Sequence, residues 1–216
     1  MALFHLDPKS IAARVRATGV PSRPPTLGAS VLRGSIGFTL VSVAAFAPWP
    51  IFDRWLRGMT EMDLYLACAA IFIGLSGLFL HRLILGPGSL SRFYKLFSLG
   101  FAAYAITWVV FWVWLRGDLG VIAGLLGGAV AMGAILAFAF DARRAIAQIV
   151  AALFVLNALG YYLGGWIAGK FGHSVAAMLL WGAFYGVGFG AGLGLAFHVC
   201  QADARAILRE SHGGTA

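Results

Sequence analysis

Few side chains in this chain of 216 residues could do chemistry, and most of them stand at the edges of long apolar runs. His81 and Arg82 close one run, His198 and Cys200 close another, and Asp141, Arg143 and Arg144 follow a third. Two imidazoles and a thiol are the donors a transition metal takes. No HxxxH or CxxC spacing joins them, so neither a metal site nor a cofactor is expected. The same guanidinium and imidazole donors could instead hold a phosphate or a carboxylate. Asn157 lies deep in an apolar run, where a buried amide requires a partner on a facing helix. His81, Arg82, Asn157 and His198 are therefore the candidate binding residues. Tyr161, Tyr162, Tyr185 and Trp181 could line an aromatic pocket, although core packing is the favoured role.

Catalytic patterns are missing. The sequence has no P-loop, no GxSxG, no HExxH and no paired acidic motif. The run Gly186-Val187-Gly188-Phe189-Gly190-Ala191-Gly192 imitates a dinucleotide loop, yet it sits inside an apolar segment instead of between a strand and a helix. All eight acidic residues fall in tails, loops or run ends. A proton relay or a two-aspartate intramembrane protease requires acids within the bilayer, so neither is expected, and enzymatic activity in general is not favoured.

The elements that must position these residues follow from composition. Hydrophobic residues make up 61% of the chain, charged residues 11%, and mean hydropathy is +0.87. A soluble domain carries about a quarter charged residues, and no aqueous fold can bury this much apolar surface. Six apolar windows can be drawn, at 34–51, 64–85, 96–115, 119–140, 145–168 and 174–199, with charge, Gly or Pro at each break. The small-x-small triplet Ala45-Phe46-Ala47 lies too far along the chain for a cleaved leader, so the first window is read as a retained span. The expected fold is all-α, a polytopic transmembrane bundle of six spans. It divides into a basic N-terminal segment (1–33), the six-helix domain (34–200) and a short tail (201–216).

Charge sets the orientation. Twelve Lys and Arg residues fall on the side of the N-terminus: Lys9, Arg14, Arg16, Arg23, Arg33, Arg82, Arg92, Lys95, Arg143, Arg144, Arg205 and Arg209. Only Arg54, Arg57, Arg116 and Lys170 fall on the other. The positive-inside rule then places both termini in the cytoplasm. Trp49, Trp55, Trp112, Trp114 and Trp166 gather at the outer boundary. The net charge of +8 is spent on orientation and on anionic lipid heads, not in a basic stripe with interleaved aromatics, so nucleic acid is not an expected partner. The expected partners are the bilayer and, beyond it, other membrane proteins or further copies of the chain. Asp7-Pro8 reads as the cap and first residue of a short interfacial helix bearing Ile11, Ala12 and Val15 on one side; a disordered basic tail is the alternative.

Twenty-nine glycines suggest how the spans approach one another. Gly182, Gly186, Gly190 and Gly194 form three successive GxxxG steps on one face of the sixth span, and Gly188 and Gly192 fall on the opposite face. That helix should lie between neighbours. Ala69–Ile73 in the second span also resembles Ala151–Val155 in the fifth, with Gly77, Leu80, Ile84 and Gly86 matching Gly160, Leu163, Ile167 and Gly169 one residue out of step. A three-span unit repeated in inverted orientation is the logic of many transporters. The size and six-span layout are similar to those of substrate-binding membrane subunits of small-solute uptake systems, an analogy of layout alone. The sequence favours a small-solute transporter, channel or substrate-binding membrane subunit. A non-catalytic assembly or accessory protein is the main alternative, and a lipid-modifying enzyme using His81 and His198 is a weaker one. Arginine over lysine and a wealth of alanine and glycine point to the cytoplasmic membrane of a bacterium.

Overall fold

The structure, a computed structural model, describes residues 3–18, 24–48, 58, 60–172 and 174–213. The described residues contain helices and no strand. Helix α1 is Pro8–Ala17. Six longer helices follow, α2 (Leu27–Phe46), α3 (Glu61–Leu80), α4 (Ser89–Leu115), α5 (Gly117–Ala139), α6 (Ile146–Ala168) and α7 (Val175–Cys200), and α8 (Ala202–Gly213) ends the chain. Six segments are long and apolar enough to cross a membrane. Leu32, Ile106, Leu119, Leu159 and other large apolar side chains face outward, as lipid contact requires. The chain is a multi-pass membrane protein by this architecture.

Two helices start earlier than hydropathy indicates. Helix α2 begins at Leu27 rather than 34, because Thr26 caps it by accepting a hydrogen bond from the Ala29 N–H at 3.2 Å. Its first turns carry Ser30 and Arg33, which lower the hydropathy without breaking the helix. Helix α4 begins at Ser89 rather than 96, entered from Gly88 at φ 68° without a side-chain cap, with Arg92 and Lys95 in its first two turns. None of α2–α7 contains proline. The α4–α5 turn is a single residue, Arg116, held at φ 56°.

The spans close into a ring in chain order, each against its successor, with α7 returning to α2. The tightest contacts surround α7. A Cβ built on Gly186 would lie 2.6 Å from Thr39 Cα, and one on Gly190 would collide with the Gly34 carbonyl oxygen. Gly182 faces Phe46 and Gly194 faces Ser30, so this row of glycines lies along α2. On the other side Gly188 and Gly192 meet Gly160 and Ala152 of α6. Backbones this close gain dispersion contacts that larger side chains would forbid.

Aromatic rings fill the axis of the ring. Phe93, Phe97, Phe101 and Tyr104 form a stacked ladder along α4, with centroids 5.1, 5.4 and 6.4 Å apart. Trp181, Tyr185 and Phe189 form a second ladder on α7 at 5.4 and 5.9 Å. Tyr104 and Phe189 join the two across the axis at 5.2 Å, and Phe38 and Phe72 close the side formed by α2 and α3. Each such pair adds about 0.5–1.5 kcal/mol beyond the area it buries.

Helices α1 and α8 pack on each other, so the N- and C-terminal helices share one end of the bundle. Asp7 caps α1, accepting from the Ser10 N–H at 3.0 Å, with Pro8 in the first turn. The apolar face of α1 does not lie on lipid. Ile11, Ala12 and Val15 are buried in the same core as Ala204 and Leu208 of α8. The stretch Ala202–Gly213 is accordingly a docked helix. At this end stand Lys9, Arg14, Arg16, Arg33, Arg82, Arg92, Lys95, Arg143, Arg144, Arg205 and Arg209; the described basic residues at the other end are Arg116 and Lys170. Arg23, Arg54, Arg57, Trp49 and Trp55 lie outside the described residues.

Candidate functional site

Among the described residues, buried polar atoms without a partner belong to Asn157, Arg14 and the Ser76 hydroxyl of α3, and the first two mark the places where polar groups gather. The first is on the axis. Asn157 is fully buried on α6, and its Nδ2 donates to the Tyr104 hydroxyl of α4 at 2.7 Å. The partner that a buried amide requires is thus a phenol across the ring, and Tyr185 of α7 lies beside the same hydroxyl. The Asn157 Oδ1 is buried with no partner among the described residues. An unmade hydrogen bond in such a place costs about 1–3 kcal/mol. Aromatic faces surround the trio, with Phe101 and Phe189 on Tyr104 and Trp181 on Tyr185. Tyr161 packs edge-on to Trp181 at 5.6 Å, while Tyr162 is more than one-third exposed. Amide and phenol groups bounded by aromatic rings suit a small, uncharged, hydrogen-bonding molecule.

The second place is the basic end. Here Gln201, at the end of α7, works as a clasp. Its Oε1 accepts from the Leu85 N–H at 2.8 Å, and its Nε2 donates to the carbonyls of Leu83 and Phe197 at 2.8 and 2.9 Å. The α3–α4 loop is thereby tied to the junction of α7 and α8. Arg205 of α8 is 7% exposed and donates from Nη1 to the His198 carbonyl at 2.5 Å, and Arg16 of α1 donates to the Ile207 carbonyl at 3.3 Å. Arg14 donates from Nη1 to the His5 carbonyl, but its Nε and Nη2 are buried without a partner. Burial lowers the pKa of Arg14, and the charge of Arg92 lowers it further, against the opposing pull of Asp7. Burial does the same to Arg205, with Arg209 adding to it. Arginine keeps its proton under such shifts, so positive charge accumulates here with little to balance it. Among the described residues the one ion pair at this end, Arg143 with Asp141 at 4.0 Å, is solvent-exposed and weak.

No known protein family, curated protein or solved structure matches the chain. Function must therefore be argued from the residues alone. The structure does not bring the sequence candidates into one site. His81 donates from Nδ1 to the Gly77 carbonyl of its own helix at 2.9 Å. His198 lies with its Nδ1 3.4 Å from Ser30 Oγ of α2. Among the described residues no three His, Cys, Asp or Glu side chains gather as a metal would need. Cys200 is buried, and Cys68 donates to the Ala45 carbonyl at 3.3 Å. Arg82 stands exposed at the basic end with no hydrogen-bond partner among the described residues, and Asn157 lies apart on the axis. Tyr104, Gln201, Arg14 and Arg33 were not singled out by sequence. A tyrosine in an apolar run reads as core, and nothing local marks a glutamine as a clasp.

Proposed function

We propose that this protein binds a small, uncharged, polar solute between its helices, as a transporter or substrate-binding membrane subunit does, with its basic end in the cytoplasm of a bacterium. The observation that carries the reading is the half-satisfied Asn157 amide on an aromatic-lined axis, where a solute could complete the hydrogen bonding. With no Asp, Glu, His, Lys or Arg beside the trio among the described residues, a neutral solute is favoured over an ion. The filled axis corresponds to a closed state, and access requires helices to part. The test is binding and flux by the purified full chain in liposomes, against a panel of neutral polar metabolites. Binding that Asn157→Leu abolishes, with the fold intact, supports the reading; neither binding nor flux across the panel refutes it.

One observation favours a second reading. The continuous aromatic packing along the axis is what a non-catalytic accessory protein would need for rigidity, with its apolar exterior meeting partner helices. Cross-linking in native membranes separates the two: a reproducible heterologous partner supports the accessory role, and contacts to lipid alone count against it.

A further inference from the structure

A crevice of about 420 Å³ opens at the basic end beside the docked α1. One side is apolar, formed by Val15 of α1, Ile84 and Leu85 of the α3–α4 loop, Leu208 of α8, and Pro24. The polar side carries Arg33 of α2 and Arg82. Neither guanidinium has a hydrogen bond or an ion pair among the described residues, and no Asp or Glu is in the described lining. Val15 is the neighbour of Arg14, whose Nε and Nη2 are buried without hydrogen-bond partners, so a third guanidinium adds positive charge near the crevice. Two free guanidinium forks next to an apolar wall, at the end of membrane-spanning helices, match a molecule with an anionic phosphate and a hydrocarbon part. Arginine recognises phosphate oxygens in bidentate fashion, and the volume lies in the range of a small-molecule site.

We propose that this crevice is a specific site for an anionic phospholipid, the phosphate held by Arg33 and Arg82 and the glycerol and upper acyl carbons resting on the half-buried Leu85, Pro24 and Pro25. The site is separate from the axial amide and does not depend on what the axis binds. A bound lipid would bridge α1, α2, the α3–α4 loop and α8, adding to the Gln201 clasp of that loop and to the Arg16–Ile207 bond between α1 and α8, and so would stabilise the docked terminal helices.

The test uses the full chain in nanodiscs of phosphatidylglycerol mixed with phosphatidylcholine, with native mass spectrometry reading the lipid retained. Wild type should retain phosphatidylglycerol selectively. Arg33→Gln with Arg82→Gln should weaken that selectivity about ten- to thirtyfold, from the attraction of two basic groups to an anionic surface. Arg143→Gln with Arg144→Gln removes equal charge from the same end outside the crevice and should leave it unchanged. Arg33 and Arg82 are exposed and unpartnered, so an unaltered melting temperature in neutral detergent confirms that the fold survives. Equal selectivity in wild type and the Arg33/Arg82 variant overturns the site. Equal loss in the two double variants overturns it too, as general surface attraction. Displacement of the lipid by millimolar inorganic phosphate overturns the lipid assignment in favour of a soluble phosphate.

Discussion

Adding one methyl group to Gly186 of α7 isolates what the close approach of α2 and α7 contributes. The new Cβ would sit 2.6 Å from Thr39 Cα, 3.0 Å from Ser42 Cβ and 3.1 Å from the Phe38 carbonyl oxygen. Carbon atoms rest about 3.5–4.0 Å apart, so the two helices must separate locally by about 1 Å. Backbone atoms cannot rotate away as a side chain would. Overpacking of this kind costs about 1–3 kcal/mol, offset by about 0.5–1 kcal/mol from alanine's better helix propensity. The net destabilisation for Gly186→Ala is then between about 0 and 2.5 kcal/mol, or a fall in Tm of up to about 10 °C at this chain length. Gly165 of α6 supplies the control, since a Cβ there meets nothing within 4 Å. Gly165→Ala keeps only the propensity gain and should raise the Tm or leave it unchanged. Gly34→Ala and Gly190→Ala add to each other less than fully, because each alone separates the same pair of backbones. The assay is thermal unfolding in detergent, followed by tryptophan fluorescence and by monodispersity on gel filtration. If Gly186→Ala melts at or above Gly165→Ala, the approach of α2 to α7 is not what limits stability.

Other outcomes follow from the polar contacts. Asn157→Leu removes an amide with an unsatisfied oxygen and replaces it with a side chain of similar size, so stability should hold within about 1 kcal/mol or rise, while solute binding is lost; a large fall in Tm would make the amide structural. Gln201→Leu leaves the buried Leu85 N–H without its acceptor and should cost about 1–3 kcal/mol, seen as faster hydrogen exchange in the α3–α4 loop. Burial pushes the Asp7 carboxyl up, but the hydrogen bonds from Ser10 and the charge of Arg14 outweigh it and hold its pKa below the ordinary 3.8. A lowered folded pKa means that the cap contributes fully above the ordinary value and is lost as pH falls through the folded one. Protection of α1 from proteolysis should therefore hold at neutral pH and decline below about pH 4, and Asp7→Ala should weaken it by about 0.5–2 kcal/mol without that decline.

The spans were legible because lipid exposure leaves a signal in every residue of a segment. Even so, Leu27–Arg33 and Ser89–Lys95 escaped the hydropathy windows. They are helical turns beyond the apolar stretch, capped by Thr26 in the first case and entered from Gly88 in the second, and their charged residues lower the hydropathy without breaking the helix. The spacing of glycines marks two faces on α7; only the structure says that they meet α2 and α6. Asn157 stood out as a lone amide, but Tyr104, its partner on the axis, stands 53 residues earlier, with the whole of α5 between them. Arg33 read simply as one more orienting charge. The crevice beside it exists because α1 folds back onto the bundle, a long-range contact with no local signature.

The ring bears on whether the chain is built from two inverted halves. A shift of three places around six helices carries α2, α3 and α4 onto α5, α6 and α7, and α4 against α5 then corresponds to α7 against α2. Any closed six-membered ring allows such a mapping, so the ring alone cannot argue for a duplicated unit. The matched residues must also occupy matched places, and they do not. Leu80 is 1% exposed and Leu163 is 46% exposed. Gly77 receives the ring of Tyr94, whereas Gly160 meets the backbone of α7 at Gly188. Gly86 turns a loop at φ 87°, and Gly169 continues a helix end at φ −57°. Helix α3 touches α4 through a tyrosine laid on a glycine, while α6 and α7 touch backbone to backbone. Two halves sharing an origin would keep their small residues where backbones cross, since those positions tolerate least change. The resemblance between the second and fifth spans is therefore better explained by shared composition, apolar and glycine-rich, than by a common three-helix unit.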